Sequence, residues 1–148
     1  KFMLNGAVAI GTMDGANVEI YNLVGEDNIK IFGLRENEVS EVRKAGYFPA
    51  KIADEDRRLY DIREELVAKI IPTNKVDFFD IYDELFKYGD QYMVIKDFDD
   101  YIRKSDELVD IYKNDRMRYN RMSLINIAKA GFFSSDRTIR EYYDEIWK

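Results

Sequence analysis

Lys1-Phe-Met-Leu-Asn-Gly-Ala-Val-Ala-Ile-Gly-Thr-Met-Asp-Gly-Ala-Asn-Val-Glu-Ile20 is the stretch on which the fold class turns. It reads as the tail of one helix, a short buried strand and a tight turn into a second helix. Residues 7–12 are a short apolar run marked by Gly6 and Gly11, the pattern of a strand buried on both faces. Met13, Asp14 and Gly15 form the turn, and Asp14 is placed to cap a helix over residues 16–24. Gly25-Glu-Asp-Asn28 breaks that helix, and Ile29-Lys-Ile-Phe-Gly33 reads as a second strand. Strand, helix and strand at this spacing predict a right-handed βαβ crossover with parallel strands. Two parallel strands make no domain, so their sheet partners are expected upstream. The chain also opens in mid-element without a start methionine, which predicts that it is a piece of something larger.

Beyond Arg35 the pattern turns helical. Residues 36–44 predict a short helix ended by Gly46, and Pro49 restarts the chain. Leu59, Ile62, Leu66 and Ile70 recur at helical spacing until Pro72. Phe78, Ile81, Tyr82, Leu85 and Phe86 mark a further helix that stops at Gly89. Phe98, Tyr101, Ile102, Leu108, Val109 and Tyr112 stripe the next, with Asn114 near its end. Residues 116–130 are apolar nearly all round and are expected to form the most buried helix. Ser134 and Ser135 are candidate caps for a last helix carrying Ile139, Tyr143, Ile146 and Trp147 on one face.

Composition narrows the chemistry. A chain of 148 residues with 46% hydrophobic content supports a globular core. A formal charge of −6 argues against a nucleic-acid or anionic-membrane surface, and no apolar run reaches the length of a membrane span. A soluble, cytoplasmic protein is expected. The sequence holds no cysteine and no histidine. Thiolate nucleophiles, disulfides, imidazole bases and His- or Cys-bearing metal sites are therefore excluded from these residues. Carboxylate, lysine, arginine, tyrosine and hydroxyl chemistry remain, a short list for a self-contained enzyme.

Each candidate site has a structural reading beside the functional one. Gly6, Gly11 and Gly15 fit neither dinucleotide nor P-loop spacing and read as helix termination and a strand-to-helix turn. A backbone anion site at the helix start after Asp14 would meet the repulsion of Asp14 itself. Asp97, Asp99 and Asp100 fall in the first turn of a helix, where the macrodipole favours acids without a metal. Glu64-Glu65 and Asp54-Glu-Asp56 read as solvated faces. Ser134-Ser-Asp-Arg-Thr138 reads as a helix cap before an anion site built on Arg137. Tyr142, Tyr143 and Trp147 read as core before carbohydrate platform. Lys1 alone carries no argument: covalent lysine chemistry needs an amine partly withdrawn from water, and only context supplies that.

The context is a resemblance. Lys-Phe-Met-Leu-Asn-Gly-Ala from Lys1, Gly-Thr-Met-Asp-Gly-Ala-Asn-Val-Glu-Ile from Gly11 and Ile-Phe-Gly from Ile31 open the match. Asn-Ile-Ala from Asn126, Phe-Ser-Ser-Asp-Arg-Thr-Ile from Phe133, then Tyr143 and Ile146-Trp147 close it. In these runs the chain resembles the α-glucan (glycogen/maltodextrin) phosphorylases from end to end, more loosely between residues 35 and 95. The resemblance implies an α/β, predominantly helical fold: the carboxy-terminal part of a glycosyltransferase B-type, Rossmann-like domain. Residues 1–34 would be a partial Rossmann-like βαβ segment and residues 35–148 a helical carboxy-terminal subdomain.

By the same resemblance the complete protein would cleave α-1,4-glucan with inorganic phosphate, giving glucose 1-phosphate with retention at the anomeric carbon. Its cofactor would be pyridoxal 5'-phosphate, anchored on Lys1, the one residue here to which a family role transfers. The cofactor phosphate would relay a proton with the substrate phosphate. The family's Gly-Thr-Gly loop, which cradles the cofactor phosphate, is expected just before Lys1. Asp14 and Asn17 match the family but keep the turn-and-cap reading. The missing amino-terminal part of the same chain is the expected partner, the complete protein a homodimer, and the isolated segment inactive. Two rivals stand beside this: a non-enzymatic, acidic, helical protein-interaction domain, and a related retaining glycosyltransferase with a nucleotide-sugar donor.

Overall fold

A computed structural model describes residues 1–68 and 77–148. Among the described residues the order is β1 (Ile10–Gly11), α1 (Gly15–Val24), β2 (Lys30–Ile31), α2 (Glu36–Ala45), α3 (Pro49–Glu55) and α4 (Arg57–Val67). Then come α5 (Phe79–Tyr82), α6 (Val94–Asn114), α7 (Arg116–Lys129) and α8 (Ser135–Tyr142). α5 and α8 each run on into a π-helical turn, Asp83–Lys87 and Tyr143–Trp147. The predominantly helical α/β expectation is met. Ile70 and Pro72 lie outside the described residues.

β1 and β2 pair in parallel, Ile10 opposite Lys30 and Gly11 opposite Ile31, as the βαβ reading requires. The ladder is shorter than the apolar runs. It includes Lys30 N–H donating to the Ala9 carbonyl at 2.9 Å and Phe32 N–H donating to the Gly11 carbonyl at 3.0 Å. Both strands are half-buried rather than buried on both faces, and among the described residues they make a sheet of two strands. The alternation of the strand still sorts its side chains. Val8 packs with Ile111 and Met122, while its neighbour Ala9 packs against the cluster of Met3, Val24, Ile29 and Ala130. The predicted helix tail before the strand is a 3-10 turn, Met3–Asn5, closed by Gly6 at φ +75.

Two compact units result, one of Lys1–Phe32 with Arg103–Lys148 and the other of Gly33–Ile102. These units do not follow chain order, whereas the sequence reading placed one boundary after residue 34. In the first, α7 lies against the opening turn, and Asn126, fully buried, donates through Nδ2 to the carbonyls of Asn28 (2.8 Å) and Met122 (3.0 Å). That amide ties α7 to the turn leading into β2. α7 is not the deeply buried helix its composition predicts. Met122 and Asn126 are buried, but Leu124 is 65% exposed. An all-round apolar helix is buried only when neighbours surround it, and here they lie on one side. The face Ile139, Tyr143, Ile146 and Trp147 is likewise exposed, so Tyr142, Tyr143 and Trp147 are not core.

In the second unit the local signals act as read. Glu38 accepts from the Arg35 N–H at 2.6 Å at the start of α2, and Pro49 opens α3. Asp56 caps α4, accepting from the Arg58 N–H at 2.9 Å. Ala53, Leu59 and Ile95 form the core, with Ile52, Phe86 and Phe98 packed on it. Asp90, almost wholly buried, fastens the start of α6 by accepting from the N–H groups of Val94 (2.9 Å) and Ile95 (2.7 Å). It also accepts from the Tyr47 hydroxyl at 2.7 Å. Burial, and then the Asp90 carboxylate, push the Tyr47 hydroxyl far above its usual pKa.

Candidate functional site

Lys1 lines a pocket of about 610 Å³. Three distant pieces of sequence build it. The opening turn gives Lys1, Phe2, Met3 and Leu4, and the lead into β1 gives residues 7–10. The first turns of α1 give Ala16, Asn17 and Ile20, and the segment after α7 gives Ala130 and Phe133. The wall is therefore mostly apolar, with one lysine and one asparagine among its lining residues. Ala16 and Ile20 reach it together because residues four apart share a helix face. Ala130 and Phe133 are the contributors that sequence reasoning missed. Their signal was present, since Phe133 heads one of the runs that carried the resemblance.

The turn after β1 is locked from inside. Asn17 Nδ2 donates to the Thr12 carbonyl at 3.0 Å, and the Asn17 N–H donates to the Asp14 carbonyl at 3.0 Å. A Cβ on Gly11 would strike the Asn17 amide, so Gly11 is fixed by close approach rather than by phosphate binding. Asp14 sits at the N-cap position, but its side chain accepts no hydrogen bond from the first turn. Asn17 thus shapes the pocket wall while its amide serves the turn.

The other candidates resolve into structural contacts. Asp97 accepts from the Leu34 N–H at 3.0 Å and Asp100 from the Gly33 N–H at 2.9 Å, while Asp99 pairs with Arg58. Burial pushes the Asp97 carboxyl up, and the neighbouring Asp100 and Asp90 add to it. Asp54 pairs with Arg63 at 2.7 Å, and Glu64 lies 3.5 Å from the same guanidinium. Arg137 is committed to the Phe132 carbonyl at 2.8 Å and to Glu141 at 2.6 Å, and Ser134 accepts from its N–H at 3.3 Å. The cap reading therefore replaces an anion site. Among the described residues no cluster of carboxylates could hold a metal ion.

Comparison with known proteins decides the lineage. The family model described as carbohydrate phosphorylase matches residues 1–148. The chain belongs to the carbohydrate phosphorylase family. It is 41% identical over 148 residues to a glycogen phosphorylase of Bacillus subtilis (strain 168), and 42% identical over 147 residues to the muscle-form glycogen phosphorylase of Rattus norvegicus. Each match covers 99% of this chain but only 18% and 17% of those relatives. The muscle form of Homo sapiens is 41% identical over the same share. For a member of this family the pocket beside Lys1 is the natural place to test a cofactor. A lysine among apolar lining residues would suit a tethered aromatic ring. Lys1 is also the one cationic side chain among the described lining residues, so this wall would suit an apolar ring better than a phosphate group.

Proposed function

We propose that this chain forms the cofactor-anchoring and carboxy-terminal part of an α-1,4-glucan phosphorylase. The observation that carries the reading is identity of 41% with a glycogen phosphorylase over 99% of the chain, beside a family match that runs from residue 1 to residue 148. The reaction is phosphorolysis. The terminal α-1,4 bond breaks, a phosphate oxygen bonds to the anomeric carbon with retention, and the departing glucan oxygen gains a proton. Pyridoxal 5'-phosphate, when bound, supplies a phosphate group for that proton transfer. Lys1 would hold the cofactor covalently, Phe2, Met3 and Ile20 would shield it from water, and Asn17 with the Gly11 turn keeps that wall in shape.

The segment supplies an anchor and a wall; substrate binding and the cofactor-phosphate cradle belong to other parts of the protein. The complete protein works on glucan in the cytoplasm as a homodimer, and the isolated segment is inactive. The test is formation of glucose 1-phosphate from an α-1,4-glucan and inorganic phosphate by the gene's full-length product. Product formation is expected. A full-length product that binds no glucan and instead captures a protein, or that transfers only from a nucleotide sugar, would overturn the reading.

A further inference from the structure

We propose that Asn5 is the positioning residue of Lys1, a role that rests on Lys1 being the cofactor anchor. Asn5 Nδ2 donates to the Lys1 carbonyl at 2.9 Å, a side chain reaching back four residues to hold the backbone of the anchor itself. The bond belongs to a closed turn. Asn5 N–H donates to the Phe2 carbonyl at 3.0 Å, Gly6 N–H to the Met3 carbonyl at 2.9 Å, and Ala7 N–H to the Phe2 carbonyl at 3.1 Å.

The turn is fixed to the unit beneath it. Met3 is buried with Val24, Ile29 and Ala130. Gly6, at φ +75, comes so close to Ser123 and Ile127 of α7 that a Cβ there would collide with the Ser123 hydroxyl. A chain of contacts therefore runs from the core to Met3 and Gly6, through Asn5, to the Lys1 backbone. With the backbone held, only side-chain torsions remain to decide where the Lys1 amine stands.

The residue type follows from the chemistry. A carbonyl accepts, so the group reaching it must donate, and a carboxamide does what a carboxylate of the same shape cannot. Asn5→Asp thus removes the donor while keeping the volume. The bond is solvent-exposed. A single neutral hydrogen bond of this kind changes an equilibrium by about two- to tenfold.

The experiment uses the full-length product, stripped of cofactor and supplied with pyridoxal 5'-phosphate. Linkage is followed by absorbance, trapped with borohydride and mapped by peptide mass. Asn5→Asp and Asn5→Ala are expected to slow linkage at Lys1 about two- to tenfold relative to the unsubstituted protein, with an unchanged melting temperature. A purely structural role would move the melting temperature and leave the rate of linkage per folded molecule untouched. If Asn5→Ala also loses stability, the near-isosteric Asn5→Asp decides. Linkage at Lys1 at the unsubstituted rate in Asn5→Asp overturns the positioning role and leaves the anchor standing. Failure of the unsubstituted protein to link at Lys1 overturns both.

Discussion

Gly33 shows what one residue can decide. It has φ +78, and a Cβ added there would run into the Asp97 carboxylate that accepts from Leu34. Gly33→Ala is therefore expected to destabilise the protein by more than about 1 kcal/mol, read as a lower urea midpoint at unchanged slope. An unchanged midpoint would show that the contact yields without cost. Asp97 was readable as a first-turn acid of a helix, and it is; Asp100, read the same way, lies a turn further along α6. Their second task, receiving the amides of Gly33 and Leu34, joins residues more than sixty positions apart and leaves no local pattern. Asp56 gives a prediction of opposite electrostatic sign. Hydrogen bonding to Arg58 holds its carboxyl at about 2, below the ordinary 3.8. The folded state thus releases the proton more readily than the unfolded one. Its stabilisation is complete above the unfolded value and is lost as pH falls toward 2. Asp56→Asn is expected to flatten the acid limb of a stability–pH curve over that window, and an identical limb would contradict the assignment.

Elements were legible where a local rule forms them. The turn glycine residues, Pro49, Ser134 and the helical stripes gave the helices, and Ile29-Lys-Ile gave a strand in parallel register with the first. Burial was less legible, because it belongs to neighbours rather than to the element. α7 and α8 carry apolar faces that composition alone would send to the core, yet Leu124 and Trp147 are mostly exposed. The contrast is measurable. Ile29, 1% exposed at the entry to β2, should cost about 2–5 kcal/mol when cut to alanine. Leu124→Ala, on the open side of α7, should fall within about 0.5 kcal/mol of no change in the isolated chain. Equal losses at the two positions in denaturant titrations would mean that the open face of α7 is buried in solution.

At the scale of the molecule, the first 32 residues and the last 46 make one unit, and the sequence between them makes another. A reading that runs along the chain cannot see this, since nothing local says that residues 103–148 return to the start. The pocket has the same origin: Lys1 was legible only through resemblance, and Phe133 reaches it through tertiary folding. In the described residues the sheet has two strands, each with one unpaired edge. The isolated chain is therefore expected to self-associate with rising concentration, and sedimentation showing a monomer throughout would contradict that. The central claim is that a carbohydrate phosphorylase chain presents Lys1 to its cofactor beside this apolar wall. Borohydride reduction of the full-length product loaded with pyridoxal 5'-phosphate, followed by peptide mapping, tests it most directly. The label is predicted on Lys1; a label on any other lysine would contradict it.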